Sequence, residues 1–463
     1  MFPCRGERRP TCAGPCRETV PASFFPRPEV RRLEPKMIRD VKPKREVLSA
    51  LFLAAGLMAL LIGVAQSLPS KSQDGKDAGV YGVLQPQMNH LAQNYKAGVR
   101  VVTLEIGWNL YEPQQGLFSS DYLQQLKRRL AAYRAAGMQV MLELGIQYPP
   151  AWIFQKRNSR FINQYGDAFA ADPTGGNCGV NAVFNPAMRD LIGAYVRQVF
   201  ADLGTDFYAV RLGGGRYGEV GYPDSRYAGK SNCYWAFDPL AQGKVSGLPA
   251  GMKPCPVPGW IPGTPSPDHA AARAFANWYM ACLQNYHDWQ IAHMRRYYHG
   301  PLAMLYPSFG IRPGQLDLAV SGDLNGGTSP EKNGEVQRGF DFARFVAGIR
   351  DPKVIVYGTG IDFPRPGPYV DDTSDNPALW CSIHWLSTLA AAHHPPLAVW
   401  GENAGHNDAA DMQLCFRRVR MYGLMGMMWA FDPELHDKHH ASIEDYARLI
   451  AQEKLRGGKN NKR

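Results

Sequence analysis

AVRLGGGRYGEVGYP, Ala209 to Pro223, is the stretch that decides the fold. It opens as an apolar, β-rich run, with Tyr208, Ala209, Val210 and Leu212 reading as a buried strand. Three consecutive glycines, Gly213, Gly214 and Gly215, break the run, and one carboxylate, Glu219, follows between Gly218 and Val220. A buried strand that ends in glycines and presents a lone acid fits the catalytic face of an α/β barrel. Seen alone, it fits a glycine turn with a solvated glutamate better. The rest of the chain has to decide.

Working outward, eight apolar runs read as strands: Val80 to Leu84, Val99 to Trp108, Gln139 to Gly145, Phe207 to Gly213, Pro301 to Ser308, Lys353 to Gly360, Pro396 to Glu402 and Leu424 to Phe431. Helical patterns alternate with them: Met88 to Ala97, Asp121 to Ala136, Pro186 to Leu203, Asp268 to Tyr298, Val336 to Ile349, Asn376 to His393, Asp408 to Tyr422 and Ser442 to Lys454. Asp121, Pro186 and Pro377 mark helix starts, while Gly98 and Gly137 mark helix ends. Eight such pairs give the fold class α/β, a single (β/α)8 TIM barrel. A doubly wound open sheet favours a glycine-rich phosphate turn after its first strand, and YGVLQPQ, Tyr81 to Gln87, has none. Long loops follow strands 3, 4 and 5, at Gly145 to Asn185, Gly214 to Pro267 and Ser308 to Glu335.

The net charge of +10 sits at the two ends. Met1 to Glu46 carries 12 Lys/Arg against 6 Asp/Glu, and Glu453 to Arg463 carries 5 against 1, which leaves the body neutral. Nucleic acid is therefore not an expected partner. Residues 1–46 read as a basic, disordered segment, and Met37 is a second candidate start. Residues 47–67 read as a transmembrane anchor or a signal peptide, 68–78 as a linker, 79–455 as the barrel, and 456–463 as a basic tail. Val47 to Ala65 is 19 residues long without a charge and follows Lys42, Lys44 and Arg45, so the barrel is expected to be exported, secreted or membrane-anchored. Six cysteines follow the apolar run, and in an exported body they allow up to three disulfides; Cys233 and Cys255 in the fourth loop are candidates for a covalent tie.

Glycoside hydrolysis needs two carboxyl groups facing each other across one sugar. Strands 4 and 7 lie across a barrel from each other, so Glu219 and Glu402, each at a glycine break, form the candidate catalytic pair. Glu105 and Glu143 are expected inside the barrel, paired with cations such as Arg100 or Arg211. Sugars also stack their C–H faces on flat rings. Trp108, Tyr148, Trp152, Tyr217, Tyr222, Trp400 and Trp429 fall at or just past strand ends and are candidate substrate contacts, with His406 close behind Glu402. The histidines, including His436, His439 and His440, show no helical zinc spacing, so no metal and no cofactor are expected. No G-x-S-x-G elbow or Walker-type loop is present.

Gly98 to Ile153 resembles the second and third βα units of the clan A glycoside hydrolases, above all the family-42 β-galactosidases. Trp108, Glu112-Pro113, Gly116, Gly137 and Pro149-Pro150-Ala151-Trp152 carry the resemblance, and Asn185-Pro186 also fits it. The resemblance implies Glu219 as acid/base, Glu402 as nucleophile and Trp429 as a stacking residue. It departs at Gly218, where the clan has asparagine. The segment GEVGYP, Gly218 to Pro223, is similar instead to that of the β-amylases, which invert. A retaining β-galactosidase-like enzyme acting on an oligosaccharide or polysaccharide is thus the first expectation. An inverting glycosidase of β-amylase-like geometry, a non-catalytic carbohydrate-binding barrel and a transglycosylase are the alternatives.

Overall fold

The computed structural model describes residues 79–170, 179–326, 330–404 and 407–460. The chain divides into a unit Met1–Ser70 and a unit Lys71–Arg463. The anchor or signal segment, the linker, Met37 and His406 all lie outside the described residues. Among the described residues no helix is long and apolar enough to cross a membrane.

Eight parallel strands form the sheet: β1 (Val80–Val83), β2 (Val101–Glu105), β3 (Gln139–Glu143), β4 (Ala209–Leu212), β5 (Leu302–Tyr306), β6 (Val354–Gly358), β7 (Val399–Gly401) and β8 (Gly426–Trp429). Each pairs with its sequence neighbour, β8 pairs with β1, and a parallel bridge from Glu402 to Met428 closes β7 onto β8. The result is a (β/α)8 barrel, as the alternation of runs predicts.

Alternate residues divide the strands into two faces. Val101, Met141, Ala209, Leu305, Ile355, Tyr357, Trp400 and Met428 fill the barrel interior. The intervening positions, such as Val102, Leu142, Val210 and Val356, pack outward among the helices. Burial on both faces is why the strands read as unbroken apolar runs.

Local signals place the helices. Asn185 caps helix Pro186–Leu203 by accepting from the Ala187 amide, with Pro186 in the first turn. Pro377 opens a short 3-10 turn, Pro377–Leu379, and the helix itself runs Ser382–Ala392. The expected helix Val336 to Ile349 is two, Pro330–Gln337 and Phe342–Gly348; the short helices Trp108–Tyr111 and Gln315–Ser321 went unread in the sequence, and the fifth loop is correspondingly less irregular. Both are only one or two turns long, too short to show a period.

The expected disulfides are not formed by the described cysteines: Cys233, Cys255, Cys282, Cys381 and Cys415 are buried free thiols. The fourth loop is held by packing instead. Trp235 is buried against Phe169 and Tyr227, and its ring nitrogen donates to the Asp224 carbonyl at 2.8 Å.

Candidate active site

Glu219 owes its position to the glycines before it. The chain turns back on itself after β4, so that the Gly214 amide donates to the Gly218 carbonyl at 3.0 Å and the Gly215 amide to the Glu219 carbonyl at 2.8 Å. A Cβ at Gly213 would lie 2.1 Å from the Gly218 oxygen, so no other residue fits there. The next residue, Val220, donates its amide to Leu305 of β5 at 3.0 Å. Glu219 is thereby fixed above the barrel, 8% exposed.

Its carboxyl is shifted toward the neutral form. Burial, with a contribution from the nearby Glu402 charge, pushes it up to about 7 against the opposing pull of Arg338 and Arg211. Thr359 Oγ1, just past β6, lies 2.6 Å from Glu219 Oε1 and 3.2 Å from the Tyr306 carbonyl. A hydroxyl has one hydrogen. Thr359 shares it between Glu219 and the Tyr306 carbonyl, and the share given to Glu219 works with Arg338 and Arg211 against the upward shift.

Glu402, at the end of β7 and 8% exposed, sits in the opposite environment. Arg211 Nη1 donates to its Oε2 at 2.7 Å and Nη2 to its Oε1 at 3.3 Å, while the Tyr357 hydroxyl donates to Oε2 at 2.7 Å. Oε2 thus carries two bonds and Oε1 one. Oε1 is the oxygen left with a free lone pair.

Strand register explains how Arg211 gets there. Glu105 stands opposite Glu143 on β2 and β3, and Glu143 opposite Arg211 on β3 and β4, so the three share the inner face. Arg211 Nε lies 3.3 Å from Glu143 Oε2 as its head reaches across to Glu402. Burial pushes Glu143 up to about 7, with Arg211 opposing and Glu105 and Glu402 adding. Gln147 Nε2 donates to its Oε1 at 2.8 Å. Of the two cations expected beside these acids, Arg211 is the one present; Arg100 donates to the Tyr95 and Val99 carbonyls instead.

The aromatic candidates separate by burial. Trp108, Tyr222, Trp400 and Trp429 are fully buried or nearly so and do not form a rim. Trp108 stacks on Tyr195 and donates to Glu112 at 2.8 Å, and Tyr222 stacks on Tyr279 at 3.9 Å. Trp400 fills the barrel interior beside Tyr208 and Tyr357, while Trp429 packs beside Tyr446. At a strand end, a ring turned outward meets helices and a ring turned inward meets the barrel core, which is why position alone misleads. Tyr148 and Trp152 are half-buried, and Tyr217 is 60% exposed in a left-handed conformation two residues before Glu219.

Several residues at the site went unrecognised in the sequence. Tyr357 and Thr359 are hidden in or beside an apolar strand, Gln147 lies in the long loop after β3, and Arg338 lies in the short turn between helices Pro330–Gln337 and Phe342–Gly348. Phe309 and Phe363, past β5 and β6, meet edge-on at 5.2 Å and stay partly exposed. Their position past strand ends is the one signal that could have found them.

His90, Asp432 and His436 bring candidate metal-ligating atoms within 4.8 Å of one another at the ends of β1 and β8. Asp432 already accepts from the Gln87 amide at 2.7 Å, Asn94 at 2.6 Å and His90 at 3.1 Å. The two imidazoles stack at 3.7 Å and 24°, so one ion cannot lie in both ring planes. The cluster is a hydrogen-bonded tie between the first and eighth loops.

No protein-family model matches the sequence, and no curated protein matches it. Solved structures do match. The barrel is one that glycoside hydrolases share. The catalytic domain of a β-amylase from Paenibacillus polymyxa is 16% identical with a TM-score of 0.58, over 81% of this chain and 98% of that one. A GH42 β-galactosidase from G. stearothermophilus is 11% identical with a TM-score of 0.52, over 83% of this chain and 57% of that one. The chain thus spans little more than half the β-galactosidase's length. The likeness to both holds at the level of the fold.

Proposed function

We propose that this chain is a glycoside hydrolase in which Glu219 is the general acid and Glu402 its carboxylate partner. The observation that carries this reading is the contrast between the two environments. Glu219 is buried, hydrogen-bonded to one hydroxyl and raised to about 7, whereas Glu402 receives a guanidinium and a phenol. One group suits proton donation at neutral pH and the other suits anionic work. The names of the two solved structures, a β-amylase and a β-galactosidase, support a carbohydrate substrate.

In the mechanism we favour, Glu219 protonates the glycosidic oxygen as the bond breaks. Glu402 attacks the anomeric carbon through Oε1 and forms a glycosyl-enzyme intermediate. Glu219, now ionised, takes the proton of an incoming water, which releases the sugar with retained configuration and restores both groups. A second reading, inversion with Glu402 as base for a water, is favoured by Gly218 and the β-amylase-like GEVGYP segment. Retention calls for carboxyls about 5.5 Å apart and inversion for about 6.5 to 9.5 Å. The exported, secreted or membrane-anchored location and the galactoside preference belong to the same proposal and rest on sequence alone.

A panel of aryl glycosides tests it. Turnover of at least one sugar, lost in both Glu219→Gln and Glu402→Gln with the fold retained, is the expected result; binding without turnover on every sugar overturns it. Proton NMR of the first-formed anomer separates retention from inversion.

A further inference from the structure

Near the catalytic pair lies a small cavity, part polar and part apolar, that the acid and its partner do not line. It measures about 10 Å³, room for roughly one water-sized oxygen, and is lined by Glu143, Gln147, Arg211, Gly213, Gly214 and Gly218, among others. Gly218, immediately before Glu219, forms one wall, and the guanidinium that holds Glu402 forms another. The cavity thus shares one wall residue with the turn that carries Glu219 and another with the ion pair that holds Glu402.

Gly218 keeps the space open. Its φ is +78°, and a Cβ there would lie 3.2 Å from Glu143 Oε1 and 3.4 Å from Gln147 Nε2. Both polar atoms thus face the volume that a side chain would otherwise occupy. Gln147 Nε2 carries two hydrogens and gives one to Glu143, and Glu143 Oε1 keeps a lone pair beyond the bond it accepts. An oxygen seated between them can accept from the amide and donate to the carboxylate. A sugar hydroxyl offers both capacities.

The geometry points to this cavity as the receptor for one ring hydroxyl of the sugar held between Glu219 and Glu402, with Gln147 as donor and Glu143 as acceptor. This rests on the glycosidase reading and deepens it. Gln147 and Glu143 read the hydroxyl pattern of the substrate, and a sugar lacking that hydroxyl leaves two buried polar groups without their partner.

The test uses monodeoxy aryl glycosides of the sugar hydrolysed best by the wild type. One of them is expected to lose about tenfold or more in kcat/KM, the scale of a hydrogen bond to a charged group. In Gln147→Met and in Glu143→Gln that penalty shrinks to about twofold or less, while losses at the other hydroxyls stay as in the wild type. Penalties unchanged at every hydroxyl in both variants overturn the inference and indicate that a bound water fills the cavity. The same ratios are read as affinities of the free sugars and their deoxy forms by titration calorimetry. Sugar binding without turnover overturns the hydrolase reading and still decides the cavity; no sugar binding at all overturns both.

Discussion

Arg211 reaches from β4 across the barrel to Glu402 on the β7 side, placing Nη1 2.7 Å from Oε2 and Nη2 3.3 Å from Oε1. The same guanidinium lies 3.3 Å from Glu143. One buried cation therefore serves two acids, and the Tyr357 hydroxyl, as second donor to Oε2, sets which oxygen of Glu402 is left to work.

Removing that cation leaves two acids unpaired in the barrel. Arg211→Met is expected to abolish turnover and to destabilise the protein by about 3–5 kcal/mol. Tyr357→Phe removes one bond to Glu402 and no charge, so kcat falls about tenfold with a melting temperature close to the wild type. Steady-state kinetics with thermal melts of both variants check this; a Tyr357→Phe enzyme with wild-type kcat would remove the hydroxyl from the orientation of Glu402.

The acid has to be protonated to act. Glu219 is raised to about 7, so activity is expected to fall as pH rises through about 7. Arg338 pulls Glu219 the other way, toward the ionised form. Arg338→Met should therefore move the alkaline limb of kcat/KM to higher pH, and a shift to lower pH would contradict the assignment.

Stability follows the same protons. Glu143 and Glu219 stand near 7 in the folded protein against an ordinary 4.5, so folding favours their protonated forms. The contribution is full below about 4.5 and is lost as pH rises through about 7. Denaturant melts of the wild type should show that decline, and Glu143→Gln, which cannot ionise, should show a shallower one.

Buried and exposed rings should behave differently. Trp400→Ala empties the barrel centre and is expected to cost about 3–5 kcal/mol of stability. Tyr217→Ala removes an exposed ring beside Glu219 and is expected to raise KM while leaving the melt unchanged. Equal effects of the two on the melt would place Tyr217 in the packing rather than on the substrate.

The described cysteines are free thiols. Millimolar dithiothreitol should leave the melting temperature of the barrel unchanged, and a marked drop would reveal a bridge that packing does not replace.

All eight strands and the principal helices could be read from the chain, because strands buried on both faces must be apolar throughout and helices carry their own caps. Asn185-Pro186 placed a helix start to the residue. The glycine break before Glu219 could be read too, since Gly213 has no room for a Cβ. These are local constraints, and a local constraint leaves its mark on the sequence around it.

What the sequence left open is which way each strand-end side chain turns. Trp108, Tyr222, Trp400 and Trp429 occupy strand ends as Glu219 and Glu402 do, yet they pack inside. That Arg211 pairs with Glu402, 191 residues away, and that Thr359 meets Glu219, 140 residues away, depends on barrel closure and strand register. Apolar periodicity and turn chemistry determined the barrel and the strand ends past which Glu219 and Glu402 stand. Only the closed sheet decided which groups surround them, because register brings distant strands side by side and no short stretch of sequence encodes it.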